Sequence, residues 1–281
     1  MSNCSFLKTP AEMALAKDGT NPPWMNNCEG VYAAWETDPE LLAKLVPAPL
    51  TPAMPLVIAY VIEAHNPTFS TAYKEAAIMT LVTDGEMMGN YCFGLLLTGS
   101  DDPVTTGREE LGIPKKNADK IDIRRVGDKA YATVDRYGVR VIDIELDLGD
   151  YNCEAGAKVL GGKTFNEYSD GCSYFYKFDI DQAADCSVVF SNARLLRVKM
   201  RRLFRAWDAA SAQIKMTPSI NDPWAELFVK APLGGAWGNF DLGILGCQKT
   251  TPIDDIDALI PHLIAGRYDS PFFGQPCQVL L

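Results

Sequence analysis

The stretch GREELGIPKKNADK, residues 107–120, places Lys115 and Lys116 side by side behind Pro114, among apolar Leu111 and Ile113, in a chain of formal net charge −10. A lysine amine is a nucleophile only when neutral, and its ordinary pKa is about 10.4. Burial or an adjacent cation disfavours the ammonium and lowers that value. If the loop packs into a cavity, Lys116 supplies the neighbouring charge, Ile113 an apolar wall and Pro114 a fixed backbone approach. A neutral lysine so placed forms an imine with a ketone. The protonated imine is an electron sink, so a carbon–carbon bond beside it breaks readily. A lysine pair by itself is more often a solvated turn.

The other chemistry-bearing motifs are weaker. AGAKVLGGKT resembles a phosphate loop, but the pattern needs glycine five residues before the Gly-Lys pair and Ala157 stands there. The two histidines, His65 and His262, give poor support for a zinc site or a His-based triad, and no metal ligands are expected. The negative balance argues against nucleic-acid binding, which needs a basic surface. The eight cysteines are scattered, with no Cys-x-x-Cys pair, and read mostly as buried free thiols. The N-terminal segment lacks a signal-type apolar core and the longest apolar runs are too short to cross a bilayer, so a cytoplasmic protein is expected.

The elements that must position these residues are mainly strands. ETDPELLAKLVPAPL reads as a short helix with Asp38 as N-cap and Pro39 in the first turn. PLVIAYVIEA reads as a buried strand, and KEAAIMTLVTDG and EMMGNYCFGLLLT as two more joined at Asp84-Gly85. KIDIRRV, KAYATVDRY and VRVIDIELDL form three runs separated by turns, the last alternating with one slip near 141–142. SYFYKFDI, SVVFSNARLLRVKMRRL and AELFVKAPLGGAWGNFDLGILGC follow. IDDIDALIPHLIAG, interrupted by Pro261, and part of the N-terminal segment are the remaining helix candidates. With no linker composition, one domain over 1–281 is expected, built of large antiparallel sheets in a barrel or sandwich with few helices.

Three segments in order, WETDPELLAKLVPAPL (35–50), AYKEAAI (72–78) and GREELGIPKK (107–116), resemble the acetoacetate decarboxylase family. That enzyme is the standard example of a lysine activated by a cationic neighbour. The resemblance implies a cone-like antiparallel β structure, homo-oligomers, a small-molecule keto acid or ketone substrate and no cofactor. It implies Lys115 as the Schiff-base lysine, Lys116 as its activating neighbour and Glu75 as the acid–base or positioning carboxylate. Gly107, Arg108 and Glu109 belong to the signature, and ion pairing of Arg108 and Glu109 would shape the loop. Tyr73, of the Tyr-x-Glu element, Arg108 and Ile113 are pocket candidates. Cys28 stands where the decarboxylase has an arginine, a second acidic pocket position falls at Tyr60 with Glu63 three residues on, and Ile113 replaces a larger aromatic residue. The lysine chemistry is kept while the substrate pocket is rebuilt. A decarboxylase of β-keto acids is therefore expected, with an aldolase–dehydratase or other carbon–carbon lyase as the alternative and a non-enzymatic binding protein as the third.

Overall fold

The computed structural model describes residues 5–275. Its strands, in chain order, are β1 (Trp24–Glu36), β2 (Thr51–Pro67), β3 (Tyr73–Thr83), β4 (Met88–Thr98), β5 (Lys115–Asn117), β6 (Lys120–Val126), β7 (Lys129–Arg136), β8 (Val139–Leu148), β9 (Tyr168–Gln182), β10 (Val188–Met216) and β11 (Ala231–Pro252). β1 to β4 form an antiparallel meander, β4 joins β9 through a short parallel contact, and β9, β10 and β11 are antiparallel. β11 pairs with β1 as well as β10, which closes a ring. β10 is long enough to leave the ring: its end, from Ala210 to Met216, pairs with β8, and β7 and β6 follow. The antiparallel barrel-like expectation holds, as a ring with an attached sheet rather than an even barrel.

This arrangement gives the ring strands two buried faces. The outer face carries Val31, Ala33, Val61, Ala76, Ile78 and Leu96 against Val134, Ile142 and Ile144 of the attached sheet. The inner face carries Met25, Ile62, Ala77, Leu95, Leu97, Phe175, Met200 and Phe240. Successive side chains of a strand alternate between faces, so burial on both produces the unbroken apolar run PLVIAYVIEA instead of an alternating one.

The helices are α1 (Pro10–Ala16), α2 (Pro39–Leu45), α3 (Asp102–Thr106), α4 (Glu154–Leu160) and α5 (Ile256–Leu263). Asp38 caps α2 as expected, accepting from the amides of Glu40 and Leu41. α5 runs through Pro261 instead of ending there. Two helical segments were not anticipated: α4, within the stretch that mimics a phosphate loop, and α3 with the π-helical turn Gly107–Leu111 that continues it. The slip near 141–142 is a bulge: Val134 pairs with Ile142 and Asp135 with Arg140, leaving Val141 extra. The cysteine expectation needs correction. Of the six described, Cys28 and Cys172 are buried, but Cys153, Cys186 and Cys247 are exposed; Cys4 and Cys277 lie outside the described residues. No described helix is long and apolar enough to cross a membrane.

Candidate active site

The signature segment is a folded device rather than a solvated turn. After the π-helical turn, Gly112 adopts φ 73°, and a β-carbon there would lie 2.4 Å from the Tyr176 carbonyl oxygen. The Gly112 carbonyl accepts from the buried Arg267 guanidinium at 2.5 Å. The chain then enters β5, which lies parallel to β4 with Leu95 beside Lys115 and Leu96 beside Lys116. Leu95 faces the ring interior and Leu96 the outer core. The two lysines inherit those opposite directions.

Lys115 points inward, only 6% exposed. Its Nζ lies 3.6 Å from Oε2 of Glu75, a β3 residue only 2% exposed. Tyr60, on β2, donates its hydroxyl hydrogen to the other oxygen, Oε1, at 2.7 Å. Burial and then the Glu75 charge push the Tyr60 phenol well above its ordinary value, so it remains a donor. Among the described residues Glu75 Oε2 and the buried Tyr73 hydroxyl have no hydrogen-bond partner. The lysine stem packs on Gly107, where an added β-carbon would meet Lys115 Cδ at 2.9 Å and Cε at 3.0 Å.

Lys115 stands where two spaces meet. An outer cleft of about 530 Å³ is lined by Pro22, Pro23, Phe69, Tyr73, Leu111, Ile113 and Lys115. An inner chamber of about 80 Å³ is lined by Tyr60, Glu75, Lys115, Phe175, Met200 and Arg202 among others. Ile113 lines both, as an apolar wall beside the amine. Cys28 is fully buried behind this wall, its thiol directed at the Met25 carbonyl at 3.5 Å. Burial, and next the Glu75 charge, push that thiol up, so it stays protonated.

Three expected site residues are elsewhere. Lys116 points to the outer face, where its ammonium meets Asp222 at 2.9 Å and Asp269 at 3.3 Å and donates to the carbonyls of Asn221 and Ala265. It lines a separate cavity of about 320 Å³ with Phe93 and Trp224. The expectation that adjacency in sequence places its charge against Lys115 is therefore corrected: strand alternation separates the two amines, and two carboxylates neutralise Lys116. Glu63 also faces away from the chamber and neighbours Lys74 and His65 at 3.8 and 3.7 Å. Arg108 lies outside the cleft, over the Tyr268 ring at 5.1 Å, so stacking rather than ion pairing holds it. Arg202 was not anticipated. Its signal was the alternation of Met200, Arg202 and Phe204, which puts an arginine on a face otherwise apolar.

A closed, irregular ring of strands thus holds a buried lysine and a buried carboxylate at the mouth of an inner chamber. The sequence pattern of the family described as "Acetoacetate decarboxylase (ADC)" matches residues 8–252, and the chain belongs to that family, whose members are enzymes. A CLA biosynthesis isomerase of Lactiplantibacillus plantarum is 38% identical over 276 residues, 96% of each chain. The crystal structure of the acetoacetate decarboxylase of Legionella pneumophila superposes with a TM-score of 0.66 at 17% identity, covering 83% of this chain and 88% of that one. The enduracididine biosynthesis enzyme MppR, complexed with the condensation product of pyruvate and imidazole 4-carboxaldehyde, superposes with a TM-score of 0.63 at 14% identity, covering 84% of this chain and 91% of that one. At those identities the two structures share the fold.

Proposed function

We propose that this protein is an imine-forming enzyme that moves a double bond into conjugation with a ketone. The observation that carries this reading is the 3.6 Å separation of Glu75 Oε2 from Lys115 Nζ, with Oε1 occupied by Tyr60. Neutral Lys115 adds to the carbonyl carbon and water leaves, giving a protonated imine. That cation acidifies the adjacent carbon, which lies one bond further from Nζ and within reach of Oε2. Glu75 takes the proton and a dienamine forms. Return of the proton at the far end of the dienamine shifts the double bond, and water releases the ketone. The largely apolar outer cleft holds the body of the substrate. The extent of the likeness to the isomerase from L. plantarum supports this choice of outcome.

The family's name and the same lysine favour a second outcome, decarboxylation of a β-keto acid. There the electron pair of the broken bond to CO2 enters the imine, and Glu75 positions the substrate or returns a proton. Condensation of the same enamine with an aldehyde is a third outcome. The test is to incubate the protein and its Lys115→Ala variant with a β,γ-unsaturated ketone, a panel of β-keto acids, and pyruvate with an aldehyde. Appearance of conjugated-enone absorbance that needs Lys115 is the expected result. CO2 release or condensation alone would replace the isomerase reading with a lyase one, and no Lys115-dependent product would overturn both.

A further inference from the structure

Arg202 lies on β10, across the ring from the β2 and β3 residues Tyr60 and Glu75, and lines the inner chamber with them. Its neighbours on the same face, Met200 and Phe204, are buried in the apolar interior. The nearby arginines of this strand point outward and are paired, Arg201 with Asp170 and Arg205 with Asp241. Arg202 has no ion pair or hydrogen bond among the described residues, although the chamber it lines is walled largely by Leu95, Ile113, Phe175, Met200, Leu242 and Ile244. Arg202 is itself partly buried, and no acidic partner in these surroundings offsets the solvation its guanidinium gives up. A second cation stands near it. Lys163 lies over the rings of Phe204 and Trp207 at 5.5 and 5.1 Å, also without an ion pair among the described residues. Burial and the Arg202 charge both lower the Lys163 pKa, which places the two cations in one electrostatic neighbourhood.

We propose that Arg202 anchors a substrate carboxylate across the inner chamber from Lys115, making the substrate a keto acid with a short acidic arm and an apolar body in the outer cleft. This rests on the imine reading for the position of the ketone. Charge fixes the orientation: Glu75, the acid lining the chamber, repels a carboxylate from its own side and leaves the Arg202 side. A chamber of about 80 Å³ admits a few carbons between the two groups, whereas the 530 Å³ cleft takes a longer tail. The planar guanidinium suits a bidentate carboxylate contact.

The test has two readouts. Borohydride trapping on Lys115 compares 5-oxohexanoate with 2-hexanone in the wild type, Arg202→Gln and Arg202→Lys. The expected result is half-saturation at about tenfold lower concentration for the acid in the wild type, loss of that preference in Arg202→Gln and partial recovery in Arg202→Lys. Titration with hexanoate, which forms no imine, is expected to show binding to the wild type that Arg202→Gln loses while its thermal melting still reports a folded chain. Equal trapping of acid and ketone by the wild type, or hexanoate binding unaffected by Arg202→Gln, overturns the anchor. If Lys115 traps neither compound, the imine reading fails, and the hexanoate titration still decides the anchor.

Discussion

Tyr60 and Glu75 form a hydrogen bond of 2.7 Å that fixes which carboxylate oxygen is free: Oε1 accepts from the phenol, and Oε2 is left 3.6 Å from Lys115 Nζ. A buried carboxylate without a donor would be costly and free to rotate. Tyr60 removes both problems. Tyr60→Phe is expected to lower turnover by about 10- to 100-fold, the range of a lost orienting bond to a general base, while borohydride trapping on Lys115 persists. Measuring trapping and turnover on the same variant checks this; equal loss of both would make Tyr60 a determinant of imine formation instead.

Gly107 sets the position of the nucleophile through contact with its stem. A β-carbon at 107 would lie 2.9 Å from Lys115 Cδ, closer than real contacts allow. The flexible stem yields before the backbone, so Gly107→Ala is expected to fold and to lose tenfold or more of its trapping rate, as for any small misplacement of a reacting group. A variant with full trapping rate would show that the lysine has room the structure does not display.

Lys116 acts on the outer face. Lys116→Met would leave Asp222, 1% exposed, beside Arg136 alone and strip one partner from Asp269. Breaking a buried pair from one side costs about 3–5 kcal/mol, so a clear drop in melting temperature is expected. The pH dependence of Lys115 trapping should keep the same shape in the variant. A displaced profile at unchanged stability would restore the charge-tuning role suggested by adjacency in sequence.

Asp269 gives the same cluster a pH signature. Burial alone would raise its carboxyl, but hydrogen bonds from Arg136 and the charges of Lys116 and Arg136 outweigh that and hold it at about 2. The folded value lies below the ordinary 3.9. Its contribution is therefore complete above about pH 4 and lost as pH falls toward 2. Melting curves of wild type and Asp269→Asn should differ most at neutral pH and converge near pH 2. A gap that stays constant across that range would remove Asp269 from the acid response.

The fold was legible where local chemistry decides it. Asp38 before Pro39 announced α2, Asp84-Gly85 announced the β3–β4 turn, and the broken alternation at 141–142 marked a bulge. Lys115 and Glu75 were legible as residues, and the structure brings them together. The direction of Lys116 was not, because β5 has two buried faces and hydrophobic pattern cannot tell them apart. Its partners Asp222 and Asp269 lie more than a hundred residues away. Glu63 followed the same rule: three positions from Tyr60 in a strand is the opposite face. Arg202 lay among the three arginines of MRRLFR: alternation with Met200 and Phe204 sets it apart from Arg201 and Arg205, and pairing with β9 and β11 turns that face inward.

The central claim is that Lys115 is the amine that reacts. Borohydride reduction in the presence of a ketone substrate, followed by intact mass and peptide mapping, tests it most directly. One reduced adduct located on Lys115, absent from Lys115→Ala, is the predicted result. An adduct mapped to Lys116 or another lysine, or turnover that continues in Lys115→Ala, would contradict the account.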